Sequence, residues 1–299
     1  MMRSLFSAVS GLKNSQTAMD VIGNNISNVS TVGYKASRTI FQDIYSQTVS
    51  NAAAPTDSNG GINPKQVGLG VEIASISMNM TEGSSQSTSD PLDFSISGEG
   101  FFVVDSGDGS YVYTRNGALT LDANGYLVTA NGNYVMGLTG DETEVANGSD
   151  LFDTDGTPLF DKVQVTGSVD TGTTDAYGDP IYETYSDYAI DTNGVITAMN
   201  GDGDIMTLGR LVLATFNNTA GLEKAGSSYY NASADSGEAT INFANDGCGC
   251  LKSGSLEMSN VDLATELTNM IITQRAFQAN SRVITTSDTM LEELINLKR

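Results

Sequence analysis

The apolar positions at the two ends of the chain follow a different rule from those between them. Near the N-terminus Leu5, Leu12, Met19 and Ile26 recur every seven residues, and Val9 and Ile22 widen the stripe. Near the C-terminus Met270, Phe277, Ile284 and Leu291 repeat in the same way, flanked by Leu263, Leu267, Leu294 and Ile295. A sustained seven-residue apolar period marks a helix that packs along a narrow seam, as in a coiled coil. It predicts one helix over about residues 4–28 and another from about 260 to the end. Ser259-x-x-Asp262 has the spacing of a capping box for the second helix. Neither Pro nor Gly interrupts residues 260–299, which leaves room for a helix of about 55 Å at 1.5 Å per residue.

Beside each apolar row runs a row with polar or small members. These are Val9, Gln16, Gly23 and Ser30 in the first helix, and Leu267, Gln274, Ser281, Asp288 and Ile295 in the second. A helix lying on its own sheet prefers a broader apolar face. A narrow seam with polar members favours packing in register, where a buried polar group fixes orientation. The expected subunit-packing set is therefore Leu5, Val9, Leu12, Met19, Ile22, Ile26, Leu263, Leu267, Met270, Phe277, Ile284, Leu291 and Ile295. The partners of these seams are each other and neighbouring copies, which points to assembly before catalysis.

Between the ends the pattern changes. Residues 28–34 form a polar turn with Gly33 suited to positive φ. Ile40, Phe41, Ile44 and Tyr45 have a 3–4 spacing that reads as a further helical piece. The stretch 50–64 is small, polar and broken by Pro and Gly, as in an extended linker. From Val71 onward short alternating runs are separated by turn residues. Phe94–Ser97 meets Phe101–Val104 across Gly98-Glu99-Gly100, and further turns stand at Asn116-Gly117, Asp122-Ala123-Asn124-Gly125 and Asn131-Gly132. Such turns between apolar runs are hairpin signals. Asp141–Met206 holds about 15 acidic residues against the single Lys162, and strand patterning resumes near Leu211.

These boundaries predict an α+β fold of mainly β domains nested between N- and C-terminal coiled-coil helices that pair at one end of an elongated subunit. The helical polymerisation domain covers 1–30 and 260–299, and a helix with an extended linker covers 31–70. An inner β domain covers 71–139 and 208–259, and an acidic outer β domain covers 140–207.

Composition narrows the chemistry. A net charge of −22 opposes nucleic-acid phosphates and anionic membrane surfaces. No apolar run approaches the roughly 20 residues of a membrane span. The N-terminus opens directly into the amphipathic pattern without the apolar core of a cleaved secretory signal. The expectation is a chain that stays inside or leaves by a route that reads no such signal. Histidine is absent, which removes the commonest general base and metal ligand.

The remaining candidates are weak. Cys248-Gly249-Cys250 lacks the further ligands of a zinc site, and two thiols in an exposed loop explain it. Asn200-x-Asp202-x-Asp204 has Ile205 where a calcium loop needs Gly and Leu211 where it needs Glu; Asp153-Thr154-Asp155-Gly156 lacks further ligands. Paired carboxylates suit glycoside hydrolysis, but a chain without Trp is poorly supplied for an aromatic sugar cleft. Gly98-Glu99-Gly100 lacks the Lys of a phosphate loop and reads as a hairpin turn. The expectation is no catalytic residue, no cofactor and no metal.

Several blocks resemble a known family. Asp20–Lys35, running DVIGNNISNVSTVGYK, is similar to the N-terminal signature of the flagellar rod and hook axial proteins. Gly98–Val104 and Tyr113–Gly117 resemble their central β domain, and Gly254–Leu263 with Gln274–Asn280 resemble their C-terminal helix. The blocks span nearly the whole chain in the family's order. Within the family, Ser7–Leu12 and Asn63–Val71 are more similar to hook subunits than to distal rod subunits, although the acidic segment is small for a hook subunit. The resemblance implies a helical homopolymer outside the cell, a flexible tubular joint that transmits torque, with the distal rod as the alternative. The implied partners are further copies of the chain, distal rod and hook–filament junction proteins, a hook cap during assembly and the flagellar type III export apparatus. It also implies terminal helices that order only on assembly, and it offers no counterpart for the Cys-Gly-Cys loop.

Overall fold

The computed structural model describes residues 2–55, 60–139, 160–165, 167–174, 180–200 and 205–297. They form a mixed structure with a helix at each end and strands between, divided into two compact units. The first unit is Met1–Val29, Ala36–Asn79 and Val261–Arg299; the second is Ser30–Lys35 and Met80–Asn260.

In the first unit, helix α1 (Met2–Ser27) packs against helix α2 (Leu263–Asn296). The 34 residues of α2 give a length of about 51 Å. Its N-cap is Asp262, whose carboxylate accepts from the Ala264 amide at 3.1 Å. The expected Ser259 box is thus displaced by three residues. Asp262 serves because its short carboxylate satisfies an amide that has no earlier helical carbonyl.

The segment expected to be helical around residues 40–45 is instead strand. Ser37–Asp43 runs antiparallel to Val71–Met78, and Ser46–Ser50 pairs with Lys65–Gly68. Thr39, Ile40 and Phe41 are strand-favouring residue types. A register shift between Ile40 and Phe41 breaks the period-two alternation there, and the break imitates a helical spacing.

The second unit is built on an eleven-stranded sheet. Its spine is Ile205–Thr215, which pairs with Val195–Asn200, Met136–Thr139, Thr240–Phe243 and Phe101–Asp105, all antiparallel. In the acidic segment Gly167–Thr174 and Pro180–Ile190 join this sheet in series through Val195–Asn200, and Asp161–Lys162 joins it through Met136–Thr139. Phe94, Ile96, Phe102, Leu127, Leu211, Leu213 and Leu251 are sealed in one cluster with its neighbours.

Gly98-Glu99-Gly100 is not a hairpin turn. Phe94–Ser97 pairs with Cys250–Ser253, whereas Phe101–Asp105 pairs with Tyr111–Thr114, so the tripeptide carries the chain between two sheets. The strands on both sides of it are buried nearly throughout, which gives each the choice of a different partner. Asp122–Gly125 does close a hairpin, between Leu119–Leu121 and Leu127–Thr129.

Candidate functional site

The heptad pattern gives α2 a half-buried face. Met270, Phe277, Ile284 and Leu291 lie on it, alternating with Thr273, Asn280 and Ser287 at spacings of three and four. Ser287 is buried. Of the expected polar row Ser281 is half-buried, whereas Gln274 and Asp288 are exposed. Gly11 shows how close α1 and α2 come: a methyl there would meet the Asn280 carboxamide at 2.6 Å. In α1, Ala8, Ala18 and Ile22 are buried and Leu5, Val9, Leu12, Met19 and Ile26 are half-buried.

The other expected packing residues do not join this face. Leu263, Leu267 and Ile295 are 41%, 46% and 67% exposed, and Ile271, Ile272, Met290 and Leu294 stand out with them. Leu263, Leu267 and Ile271, spaced four apart, form a strip along the first turns of α2 that is about half exposed. A cavity of about 450 Å³ opens in the same unit beside Gly11, Phe41, Gly70 and Asn280.

Sequence reasoning missed a buried charge cluster in the second unit. Lys35, Arg115 and Glu257 are almost fully buried. Lys35 Nζ donates to Glu257 Oε1 at 2.6 Å and to the Thr81 carbonyl at 2.8 Å. Arg115 Nη1 donates to Glu257 Oε2 at 3.2 Å, and its Nη2 donates to the Gly98 carbonyl at 2.8 Å. The Gly83 amide donates to Glu257 Oε1, and the Gly33 amide donates to the Glu257 carbonyl. One carboxylate thus answers two cations and an amide, the condition under which buried charges are tolerated.

Burial lowers the Lys35 pKa, and the Glu257 carboxylate opposes that fall. Gly33 is required where it stands: at φ +66, a methyl there would sit 2.8 Å from the Arg115 backbone. Nearby, Tyr230 is buried and its pKa is pushed up to about 12, chiefly by desolvation of its phenolate. Lys224 lies 4.7 Å above the Tyr34 ring. The charged members are up to 222 residues apart in sequence. Their one legible signal is that each lies inside a block shared with the family.

Both cysteines are free thiols; Cys248 is half-buried and donates to the Phe243 carbonyl, and Cys250 is exposed. Among the described residues no group of three or more Cys, Asp or Glu is placed to hold a metal. Asp202–Asp204 and Asp153–Gly156 lie outside the described residues. No described helix is long and apolar enough to cross a membrane.

Three family models match in chain order. "Flagella basal body rod protein" matches residues 5–35, "Flagellar hook protein FlgE/F/G D1 domain" matches 95–198, and "Flagellar basal body rod FlgEFG protein C-terminal" matches 252–297. The flagellar basal-body rod protein FlgG of Bacillus subtilis is 42% identical over 301 residues, covering all of both chains. The chain belongs to the flagellar rod and hook protein family. The flagellar hook protein FlgE of Borreliella burgdorferi is 33% identical over 443 residues, and the basal-body rod protein FlgG of the same organism is 34% identical over 303, each with full coverage. The chain is an axial structural component of the bacterial flagellum, in its basal body or hook, and lies outside the cell membrane. The three models fall on both terminal helices and on the β unit between them, including Lys35, Arg115 and Glu257.

Proposed function

We propose that this chain is a distal-rod subunit, a helical homopolymer that forms a section of tube transmitting motor torque. Alignment length carries the choice. Rod relatives align over 301 and 303 columns, close to the 299 residues of the chain. The Borreliella hook relative needs 443 columns, which leaves at least 144 opposite gaps in this chain. Ser7–Leu12 and Asn63–Val71, which resemble hook subunits, favour the flexible hook as the second reading.

In either reading the work is mechanical and no step of covalent chemistry is involved. Leu267, Ile271 and Ile295 are about half exposed on one chain, and burying the rest of each gains roughly 1–1.5 kcal/mol. Covering them with α1 and α2 of neighbouring copies offsets the entropy of ordering the terminal helices. Leu5, Leu12, Met270, Phe277, Ile284 and Leu291 then hold the helix pair, while Leu263, Leu267 and Ile295 face the next copy. The remaining partners are the axial proteins at either end, an assembly cap and the type III export apparatus.

Electron microscopy of basal bodies from cells lacking this protein tests the choice. A rod that stops short, with no hook attached, is the expected result. A complete rod that lacks only the hook would transfer the assignment to the hook.

A further inference from the structure

The β unit contains an uncharged polar cavity that the tube does not require. It has a volume of about 250 Å³ and lies among Thr114, Asn116, Thr129, Asn131 and the turn Ser227–Tyr229. Apart from Ala130, every side chain lining it ends in a hydroxyl or a carboxamide. On a chain of net charge −22, the lining offers no carboxylate or ammonium group to pair with an ion.

Its walls are fixed by their own hydrogen bonds. Thr129 Oγ1 and the Tyr229 hydroxyl are 2.6 Å apart. Thr114 Oγ1 donates to the Ser228 carbonyl at 2.9 Å and accepts from the Asn116 amide at 3.0 Å. These bonds engage the threonines and Tyr229, while Ser227, Ser228 and Asn131 complete the lining.

The turn that presents the two serines is built against preference. Ser227 and Ser228 link the strands Glu223–Gly226 and Tyr229–Asn231 as a two-residue hairpin loop, with φ of 49° and 64°. Both central residues in the left-handed region make a type I′ turn, for which Asn-Gly is the preferred pair. Serine in that region is strained, and a strained pair at the lip of a polar cavity is a pointer to use. Fold stability alone favours Asn-Gly, but the cavity gains two hydroxyls from Ser-Ser.

We propose that this cavity binds a neutral saccharide unit of a glycan, held by Ser227, Ser228, Asn131 and Asn116, with Tyr229 supplying its one aromatic ring. A sugar ring matches the lining because it presents several hydroxyls and no charge. The composition of the chain excludes a Trp-lined cleft, so recognition here rests on hydrogen bonds, and millimolar affinity follows.

The test uses the full-length protein and the variant S227N/S228G, which restores the preferred turn. The probe is the trimer of β-1,4-linked N-acetylglucosamine, followed by saturation-transfer NMR, with maltotriose as a second glycan. Wild type is expected to bind at least one probe saturably, and the variant to melt at the same or a higher temperature while binding about tenfold more weakly, the loss of one or two neutral hydrogen bonds. Asn131→Ala is expected to weaken binding alike. Absence of binding to both glycans, or binding unchanged in S227N/S228G, overturns the proposal. Polymer formation by the variant is a separate readout, so a negative result here leaves the rod assignment untouched.

Discussion

The β unit and the helical unit solve the burial problem in opposite ways. In the β unit Phe94, Phe102, Leu211 and Leu213 are wholly enclosed by the chain's own strands. In the helical unit the best-covered apolar residues of the expected seam in α2 are only half-buried, and Ile271, Ile272 and Ile295 are more exposed than covered. A core that closes within one chain needs no partner. In the proposed polymer the half-exposed strip of α2 is finished by neighbouring copies, and the contrast then separates the part that makes the subunit from the part that would join it to others.

The sharpest way to break that contrast is to charge the half-exposed strip. Leu267→Asp with Ile271→Asp is expected to abolish polymerisation, seen as loss of pelletable assemblies in sedimentation, while the thermal transition of the β unit stays put. Assembly at wild-type yield would show that this surface is not an interface.

The next effect belongs to the β unit. Glu257→Gln leaves Lys35 and Arg115 buried without their shared carboxylate, which is expected to cost about 3–5 kcal/mol in denaturant unfolding. A loss within 1 kcal/mol, on the scale of an exposed pair, would mean that water reaches the cluster.

A smaller effect appears only in alkali. The Tyr230 pKa is raised from 10.0 to about 12, so its proton is held more tightly in the folded chain. Its contribution is complete below pH 10 and is lost as pH rises from 10 to 12, about 3 kcal/mol at most. Tyr230→Phe is expected to flatten that part of the stability curve, measured by urea unfolding at pH 9 and pH 11. An unchanged slope would place the alkaline loss at other tyrosines.

The smallest effect returns to α1. Gly23 lies inside the helix, and a methyl there meets nothing within 4 Å. Gly23→Ala is expected to stabilise the isolated subunit by about 0.5–1 kcal/mol. If assembly weakens while the subunit gains, measured by critical concentration and by melting, a neighbouring copy packs against position 23.

How much of this was legible in the sequence depended on how far apart the contacting residues lie. The heptad rows of α1 and α2 were readable because helical periodicity is local. Thr273, Asn280 and Ser287, one position before the expected polar row, carry no apolar signal of their own, and of that row only Ser281 is part-buried among its polar members. The strand at Ser37–Asp43 was read as helix because its partner begins at Val71 and the shift at Ile40 and Phe41 disturbs its alternation. Asp262 stands at the fourth position of the Ser259 box in the sequence, whereas the structure makes it the cap. The charge cluster had no local signature at all: Lys35, Arg115 and Glu257 look like ordinary surface residues until the sheet brings them together.

In the proposed torque-bearing role the cluster has a further consequence inside the β unit. The backbone crosses between the two units at 29/30, 35/36, 79/80 and 260/261. Gly33, Lys35, Thr81, Gly83 and Glu257 lie within four residues of those crossings, and all of them are bonded in the one buried cluster. The β-unit ends of these connections are therefore tied together in one place. A pull arriving along any of these crossings is shared among several desolvated bonds that must fail together, as a shaft coupling spreads torque over bolts that no single load can shear.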